Sequence, residues 1–155
     1  MEPKIYSREV LLIAGVSGSG DETGKVWEAY MKLEKISPLE NVAEDIGYEV
    51  RMYPGGVAPG EVHVGMSVKD TGVPAEYKIV SLPASLYAEF IIYPAKGWES
   101  SNAEMDKWLS ENAEKYKQAY LGDKTYAIEI YDEKYKGDND PESVVGIMIP
   151  IVPVN

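Results

Sequence analysis

The sequence predicts an α+β fold in which two tandem β-α-β-β units share an antiparallel sheet, with both main helices on one face and a central cleft between the units. In both halves of the chain, a strand-like segment leads into a helical pattern and then into two more strand-like segments. The halves are of similar length, which indicates internal repeats over about residues 5–70 and 75–152. The 155 residues are 45% hydrophobic, as expected for one folded domain spanning 1–155.

The first half supplies one helix and three strands. Glu9–Val16 is apolar enough for a central strand, and Thr23–Ile36 has apolar residues at helical spacing before Pro38 ends the helix. Glu61–Val68 alternates between apolar and polar residues and predicts another strand. The remaining strand, Gly47–Tyr53, also alternates, with one face formed by Tyr48, Val50 and Met52 and the other by Glu49, Arg51 and Tyr53.

The second half repeats this order. Tyr77–Leu82 leads into a strand over Leu86–Tyr93. A helix follows over Ser101–Tyr116, with capping-box spacing at its start. Two final strands are predicted over Thr125–Asp132 and Val144–Ile151. Trp27 and Trp108 fall at comparable places in the two helices, which supports a duplication.

The glycine-rich segment before the first helix does not match a phosphate-binding loop. Such a loop needs a glycine, then four intervening residues, then a Gly-Lys pair followed by a hydroxyl residue. Here Ser19 and Val26 stand at those two positions around Gly24-Lys25. Ser19 and Glu22 instead have capping-box spacing, so the segment is interpreted as a strand-to-helix turn. No nucleotide or other cofactor is predicted.

Composition excludes several classes of function. Net charge is −11, with 26 acidic against 15 basic residues, so a direct nucleic-acid partner is not expected. The absence of cysteine excludes disulfide scaffolds and thiol catalysis and fits a cytoplasmic location. No apolar run is long enough for a membrane span, and the acidic residues lack metal-ligand spacing. The single histidine, His63, is expected on the polar surface of its strand.

Aromatic residues and one acid suggest a binding site. The chain has 12 Tyr and 3 Trp but 1 Phe, a balance that suits recognition of flat or cationic molecules or, alternatively, half-exposed strands. Glu129 lies inside a predicted strand and shares a face with Ala127 and Tyr131. Facing solvent, it is an ordinary surface acid. Facing the cleft, it needs a cationic ligand or a raised pKa, and alternation alone leaves both readings open.

Short segments spread over most of the chain resemble the GyrI-like effector-binding domains. That family includes the ligand-binding halves of bacterial multidrug-sensing transcription regulators and stand-alone integron-associated effector-binding proteins. In chain order the matching segments are Ile13–Gly15, Val26-Trp27, Gly47-Tyr48, Val64–Val68, Leu82–Ala84, Tyr87–Phe90, Trp108, Ile128–Tyr131 and Ile147–Ile151.

The resemblance implies a cleft that binds lipophilic, often cationic, aromatic compounds. It assigns the counter-charge to Glu129 within a Glu-x-Tyr pattern that ends at Tyr131. A second acid is common in the last strand of the family, but Val144 or Gly146 stands at that position here, so a less negative pocket is expected. The predicted stacking surface is formed by Tyr131, Trp27, Trp108, Tyr48 and Tyr87.

Three functions follow from the resemblance. The first is an effector-binding protein of transcription regulation that lacks its own DNA-binding domain and acts beside a separate regulator protein. The second is a small hydrolase of strained-ring or electrophilic lipophiles, with Glu129 as acid and base. The third is a protein-interaction module resembling an inhibitor of DNA gyrase. A homodimer is left open.

Overall fold

The structure, a computed structural model, describes residues 1–154. It has the predicted α+β architecture, with ten strands in one antiparallel sheet and two main helices. Neither helix is both long and apolar enough to cross a membrane. The elements are β1 (Lys4–Arg8), β2 (Leu11–Ser19), α1 (Thr23–Ile36), β3 (Val42–Pro54), β4 (Glu61–Val68), β5 (Lys78–Leu82), β6 (Ser85–Ile92), α2 (Trp98–Glu111), β7 (Tyr116–Gln118), β8 (Tyr120–Leu121), β9 (Lys124–Tyr131) and β10 (Val145–Pro153).

The strand order places the two halves side by side. It runs β1-β6-β10-β9-β3-β4-β2-β5, with β7 beside β10 and β8 beside β9. The units β2-α1-β3-β4 and β6-α2-β9-β10 therefore occupy equivalent places on either side of the junction between β3 and β9. This is the order expected of a duplication, and the two repeats themselves stay a prediction.

Both helices cover the same face of the sheet. Val26 and Tyr30 of α1 pack with Val62 and Val64, while Met105 and Trp108 of α2 pack on a cluster that includes Phe90, Ile147 and Ile149. Directly paired residues of neighbouring strands share a face of the sheet. Val64 of the first cluster is paired with Glu49, Glu49 with Glu129, and Glu129 with Ile147 of the second cluster, so both clusters lie on one face. The opposite face carries a third cluster containing Tyr48, Val50 and Ile128.

The helix starts differ from their predicted caps. The Ser19 hydroxyl donates to Asp21, and α1 has no side-chain cap, although its bounds are those predicted. The second helix begins three residues earlier than predicted, so Ser101 lies inside it and donates to the carbonyl of Gly97. Capping-box spacing was therefore present in both segments without forming a capping box.

His63 is buried, not exposed as predicted. Its side chain has 0% exposure on the face of β4 away from the helices. Its Nε2 lies 2.9 Å from the Ile13 carbonyl oxygen and its Nδ1 lies 2.7 Å from the Ser17 hydroxyl. A carbonyl only accepts, so Nε2 donates to it, and in the neutral ring that the lowered pKa favours Nδ1 accepts from the Ser17 hydroxyl. Burial lowers the pKa of His63 from 6.5 to about 4.

We expect the stability contribution of His63 to be lost in acid. Since its folded pKa lies below the unfolded value, the unfolded chain binds more protons between these pH values. The contribution is full above pH 6.5 and falls by up to about 3 kcal/mol as the pH drops to 4. Urea unfolding of wild type and His63→Gln across this range measures it. An unchanged difference in unfolding free energy between the two proteins would contradict the expectation.

Candidate functional site

The predicted cleft lies between α1 and α2, on the face of the sheet that the helices cover. Its volume is about 770 Å³, which suits a drug-sized molecule. The α1 wall includes Thr23, Trp27 and Met31, and the α2 wall includes Trp98, Asn102 and Met105. The floor comes from the central strands and includes Glu49, Arg51, Ala127, Glu129, Tyr131, Ile147 and Ile149.

Two acids stand opposite each other on the cleft floor. Glu49 of β3 is directly paired with Glu129 of β9, at the junction of the two halves. Glu49 is 3% exposed and Glu129 is 8% exposed. Like charges directly across a strand pair repel, and burial adds a desolvation cost, so this pair costs stability unless it is compensated. Within residues 1–154 no group of three or more histidine and acidic side chains is placed to hold a metal ion.

Every oxygen of the acid pair has a donor. The Trp27 indole N–H donates to Glu49 Oε1 at 2.8 Å, and the Tyr131 hydroxyl donates to Glu129 Oε1 at 2.7 Å. Arg51 Nε lies 3.0 Å from Glu49 Oε2 and 3.0 Å from Glu129 Oε2, so one guanidinium joins both carboxylates. The hydrogen bonds hold both acids in place on the floor of the cleft.

Charge in this cluster is not balanced. With both acids ionised, two carboxylates and the single guanidinium of Arg51 leave one net negative charge in a largely buried site. Burial, followed by the charge and hydrogen bonding of Glu49, raises the pKa of Glu129 to about 7. Burial and the two carboxylates also raise the pKa of Tyr131, which keeps its hydroxyl protonated as a donor. The site therefore favours either a proton or another cation.

Aromatic rings stand above the acid pair. The rings of Trp27 and Tyr131 are 5.9 Å apart and meet edge to face, and Tyr135 meets Tyr131 in the same way at 4.8 Å. Gly47, which is paired with Tyr131, makes room for this arrangement. A Cβ at Gly47 would lie 3.3 Å from Trp27 Cη2, closer than most side-chain contacts. The rings offer apolar and cation-binding surface beside the charged floor.

The structure brings three of the predicted site residues together and separates the other three. Glu129, Tyr131 and Trp27 line the cleft, so the open question about the orientation of Glu129 is answered in favour of the cleft. The remaining three do not line it. Trp108 stacks on Tyr116 under α2, and Tyr48 and Tyr87 are buried in the cluster on the opposite face. Their rings are core residues, because strand alternation or helix rotation turns each away from the cleft.

Trp98, not Trp108, is the tryptophan that α2 presents to the cleft. Trp27 is the fifth residue of α1, whereas Trp108 is the eleventh residue of α2, so the predicted equivalence of these two tryptophans is wrong. The start of the helix was the missed signal. In a helix that begins at Trp98, the side chains of Trp98 and Trp108 lie on different faces, so only one of them can face the cleft.

A second acid of the cleft comes from β3 and not from the last strand, while a pocket less negative than those of the family stays a prediction. Val144 and Gly146 lie beside a small cavity on the opposite face of the sheet. Glu49 supplies the second carboxylate and Arg51 supplies the cation, and sequence reasoning missed both. Strand alternation had already placed them on one face. Which face the helices cover depends on tertiary packing, and the direct pairing of Glu49 with Glu129 depends on the register.

Comparison with known proteins shows the fold. No protein-family profile and no curated protein sequence matches the chain. A solved structure of SAV2435 bound to tetraphenylphosphonium is similar with a TM-score of 0.69 and 14% identity, over 98% of this chain and 94% of that one. The EcmrR C-terminal domain gives 0.72 and 13% identity, over 99% and 98%. A hydrolase from Listeria innocua gives 0.52 and 13%, over 97% and 92%. The fold implied by the resemblance is confirmed.

Proposed function

We propose that the cleft binds a lipophilic, aromatic organic cation and that the protein is an effector-binding module. The acid pair supplies the negative charge, while Trp27, Trp98 and Tyr131 supply flat apolar surface on both sides of it. A cation over such rings gains roughly 0.5–2 kcal/mol per contact in addition to its attraction to the carboxylates.

The observation that carries the proposal is the uncompensated charge of the floor. Two buried carboxylates share one guanidinium, so the site is most stable when it gains a further positive charge. A proton can supply it at Glu129, and a ligand cation can replace that proton. The cleft is also large enough and sufficiently walled by aromatic residues for a drug-sized lipophile.

A solved relative in fold supports the choice of probe. SAV2435 has been solved with tetraphenylphosphonium, a cation whose four phenyl rings surround its charge. Tetraphenylborate has nearly the same size and shape with the opposite charge, so the pair of ions separates charge recognition from hydrophobic attraction.

Calorimetric titration of the protein with these two ions tests the proposal. At about pH 8, where Glu129 is largely ionised, we expect tetraphenylphosphonium to bind at least about tenfold more tightly than tetraphenylborate. Equal affinities would show that only hydrophobic surface is recognised. Stronger binding of the borate, or no binding of the phosphonium, would overturn the proposal.

The raised pKa of Glu129 favours hydrolysis as the second candidate function. A carboxyl group with a pKa of about 7, held by the Tyr131 hydroxyl in an aromatic cleft, is suited to donate and accept a proton near neutral pH. Incubation with lipophilic epoxides or cyclopropanes, followed by mass spectrometry, would detect addition of water. Turnover by wild type that Glu129→Gln abolishes while remaining folded would support an enzyme.

The wider setting of the binding function stays a prediction. It includes a cytoplasmic location, a role in transcription through a separate regulator protein, and assembly as a homodimer. Co-purification from cells and light scattering of the purified protein address these points independently of ligand binding.

A further inference from the structure

Arg51 contacts both carboxylates of the cleft floor. It follows Glu49 by two residues on β3, so both side chains point to the cleft face. Its Nε contacts both carboxylates, and its Nη2 lies 2.9 Å from Glu49 Oε2. Its Nη1 donates to the Gly20 carbonyl in the turn before α1, and its Nη2 also donates to the hydroxyl of Thr23, the first residue of α1.

The two halves of the sheet differ at the position of this arginine. Two residues after its acid, β3 has Arg51 and β9 has Tyr131. Each of these is paired with a small residue on the other strand, Arg51 with Ala127 and Tyr131 with Gly47. Tyr131 satisfies only the acid of its own strand. Arg51 instead reaches across the junction and contacts both acids. A neutral side chain could also donate hydrogen bonds to these acids, so the need for donors does not explain the positive charge of Arg51.

We propose that Arg51 is an internal competitor that a ligand cation must displace from the acid pair, and that it thereby determines which cations the cleft accepts. This inference rests on the proposed function and deepens it. While the guanidinium is in place, an entering cation meets a floor with one net negative charge and is repelled by the positive charge of Arg51. Once it is displaced, the cation meets two carboxylates, and Gly20 and Thr23 remain as acceptors for Arg51 outside the pair.

Displacement makes the cleft selective. The contacts of Arg51 with the carboxylates must break before the ligand gains its own, and this cost is subtracted from every ligand's affinity. A weakly bound amine or metal cation does not recover the cost. A cation that also fills the aromatic walls recovers it through contacts with Trp27 and Trp98, so the cleft accepts lipophilic cations and rejects small ones.

Titration of Arg51→Met with tetraphenylphosphonium and tetraphenylborate tests the competitor role. Methionine keeps an apolar stem but removes the charge, so the phosphonium should bind about tenfold more tightly than to wild type and the borate more weakly. Arg51→Lys keeps the charge and should gain less than Arg51→Met. A folded Arg51→Met protein that binds the phosphonium no better than wild type would overturn the inference.

A measurement on wild type keeps the inference testable if Arg51→Met does not fold. The side-chain Nε–H of Arg51 gives a separate proton–nitrogen NMR signal, assigned by its loss in Arg51→Lys. Saturation with tetraphenylphosphonium should shift this signal and speed its exchange with water, because the bonds to both carboxylates break. An unchanged signal at saturation would show that the guanidinium stays in place, and the inference would be wrong.

The two proposals fail in different ways. Phosphonium binding to wild type with no change in Arg51→Met and an unchanged Nε–H signal rejects the competitor role and leaves the proposed function standing. Phosphonium binding to Arg51→Met but not detectably to wild type overturns the proposed function, because the native cleft then excludes the ion, and supports only the part of the inference in which Arg51 holds the acid pair against cations. No binding to either protein rejects both proposals.

Discussion

Glutamine in place of Glu129 is expected to weaken tetraphenylphosphonium binding by about 10- to 100-fold at about pH 8, because charged contacts contribute about 1.5–3 kcal/mol. The substitution removes the net negative charge of the cleft floor, since one carboxylate and one guanidinium remain. It keeps the size of the side chain, and the amide oxygen still accepts from Tyr131. Binding of tetraphenylborate should stay equal or improve. Equal loss of affinity for both ions would mean that the cleft has changed shape, and would contradict a counter-charge role.

The same variant should remove the pH dependence of binding. A cation favours the ionised acid, and the free protein holds a proton on Glu129 below a pKa of about 7. Phosphonium affinity of wild type should therefore rise by up to tenfold per pH unit below about pH 7 and level off above it. Titrations of Glu129→Gln over the same range should be flat. A wild-type affinity that does not change with pH would contradict protonation at this site.

Glu49→Gln is the matched control on the opposite strand. It removes the same charge from the pair and should also weaken phosphonium binding. Because Glu49 raises the pKa of Glu129 through its charge and hydrogen bonding, the midpoint of the remaining pH dependence should move to lower pH. A midpoint that stays in place would mean that burial alone sets the pKa of Glu129.

Alanine in place of Gly15 or Gly65 should cost at least about 4 kcal/mol of unfolding free energy, or prevent folding. These glycines are directly paired in neighbouring antiparallel strands, Gly15 on β2 and Gly65 on β4. A Cβ on Gly15 would lie 1.7 Å from the Val64 carbonyl oxygen, and one on Gly65 would lie 2.0 Å from that of Ala14. Both obstacles are backbone oxygens, one on β4 and one on β2, so relief requires these two strands to separate. Urea unfolding monitored by circular dichroism measures the loss.

Gly24→Ala provides the control for this substitution. Gly24 lies in the first turn of α1, and a Cβ there would meet nothing within 4 Å. Alanine is the better helix former, so stability should rise by up to roughly 0.5–1 kcal/mol. A similar loss of stability at Gly24 and Gly15 would contradict the explanation by close backbone approach.

The regular elements follow from local pattern to different degrees. The predicted bounds of α1 and β4 agree with the structure, because their periodicity is strong and turn residues flank them. The strands β1, β7 and β8 were not predicted. β8 is short and pairs with β9 across a hairpin turn of Gly122 and Asp123. β1 and β7 are also short, and each exists through hydrogen bonds to a distant partner, β1 to β6 and β7 to β10. Pairing of this kind leaves little trace in local composition.

The site was harder to predict than the fold, for a tertiary reason. Alternation separates Glu49 and Arg51 from Val50 and Met52, but it does not say which side becomes core and which becomes cleft. The assignment depends on where the helices pack, and the Glu49–Glu129 contact depends on the register of β3 against β9. His63 shows the same limit, since a polar residue on an alternating strand was buried by distant contacts.

A crystal structure of the protein with tetraphenylphosphonium tests the central claim most directly. We expect the phosphonium between α1 and α2, above the carboxylates of Glu49 and Glu129, with phenyl rings against Trp27 and Trp98. A cation bound elsewhere, or one held in the cleft with its charge turned away from both acids, would contradict it.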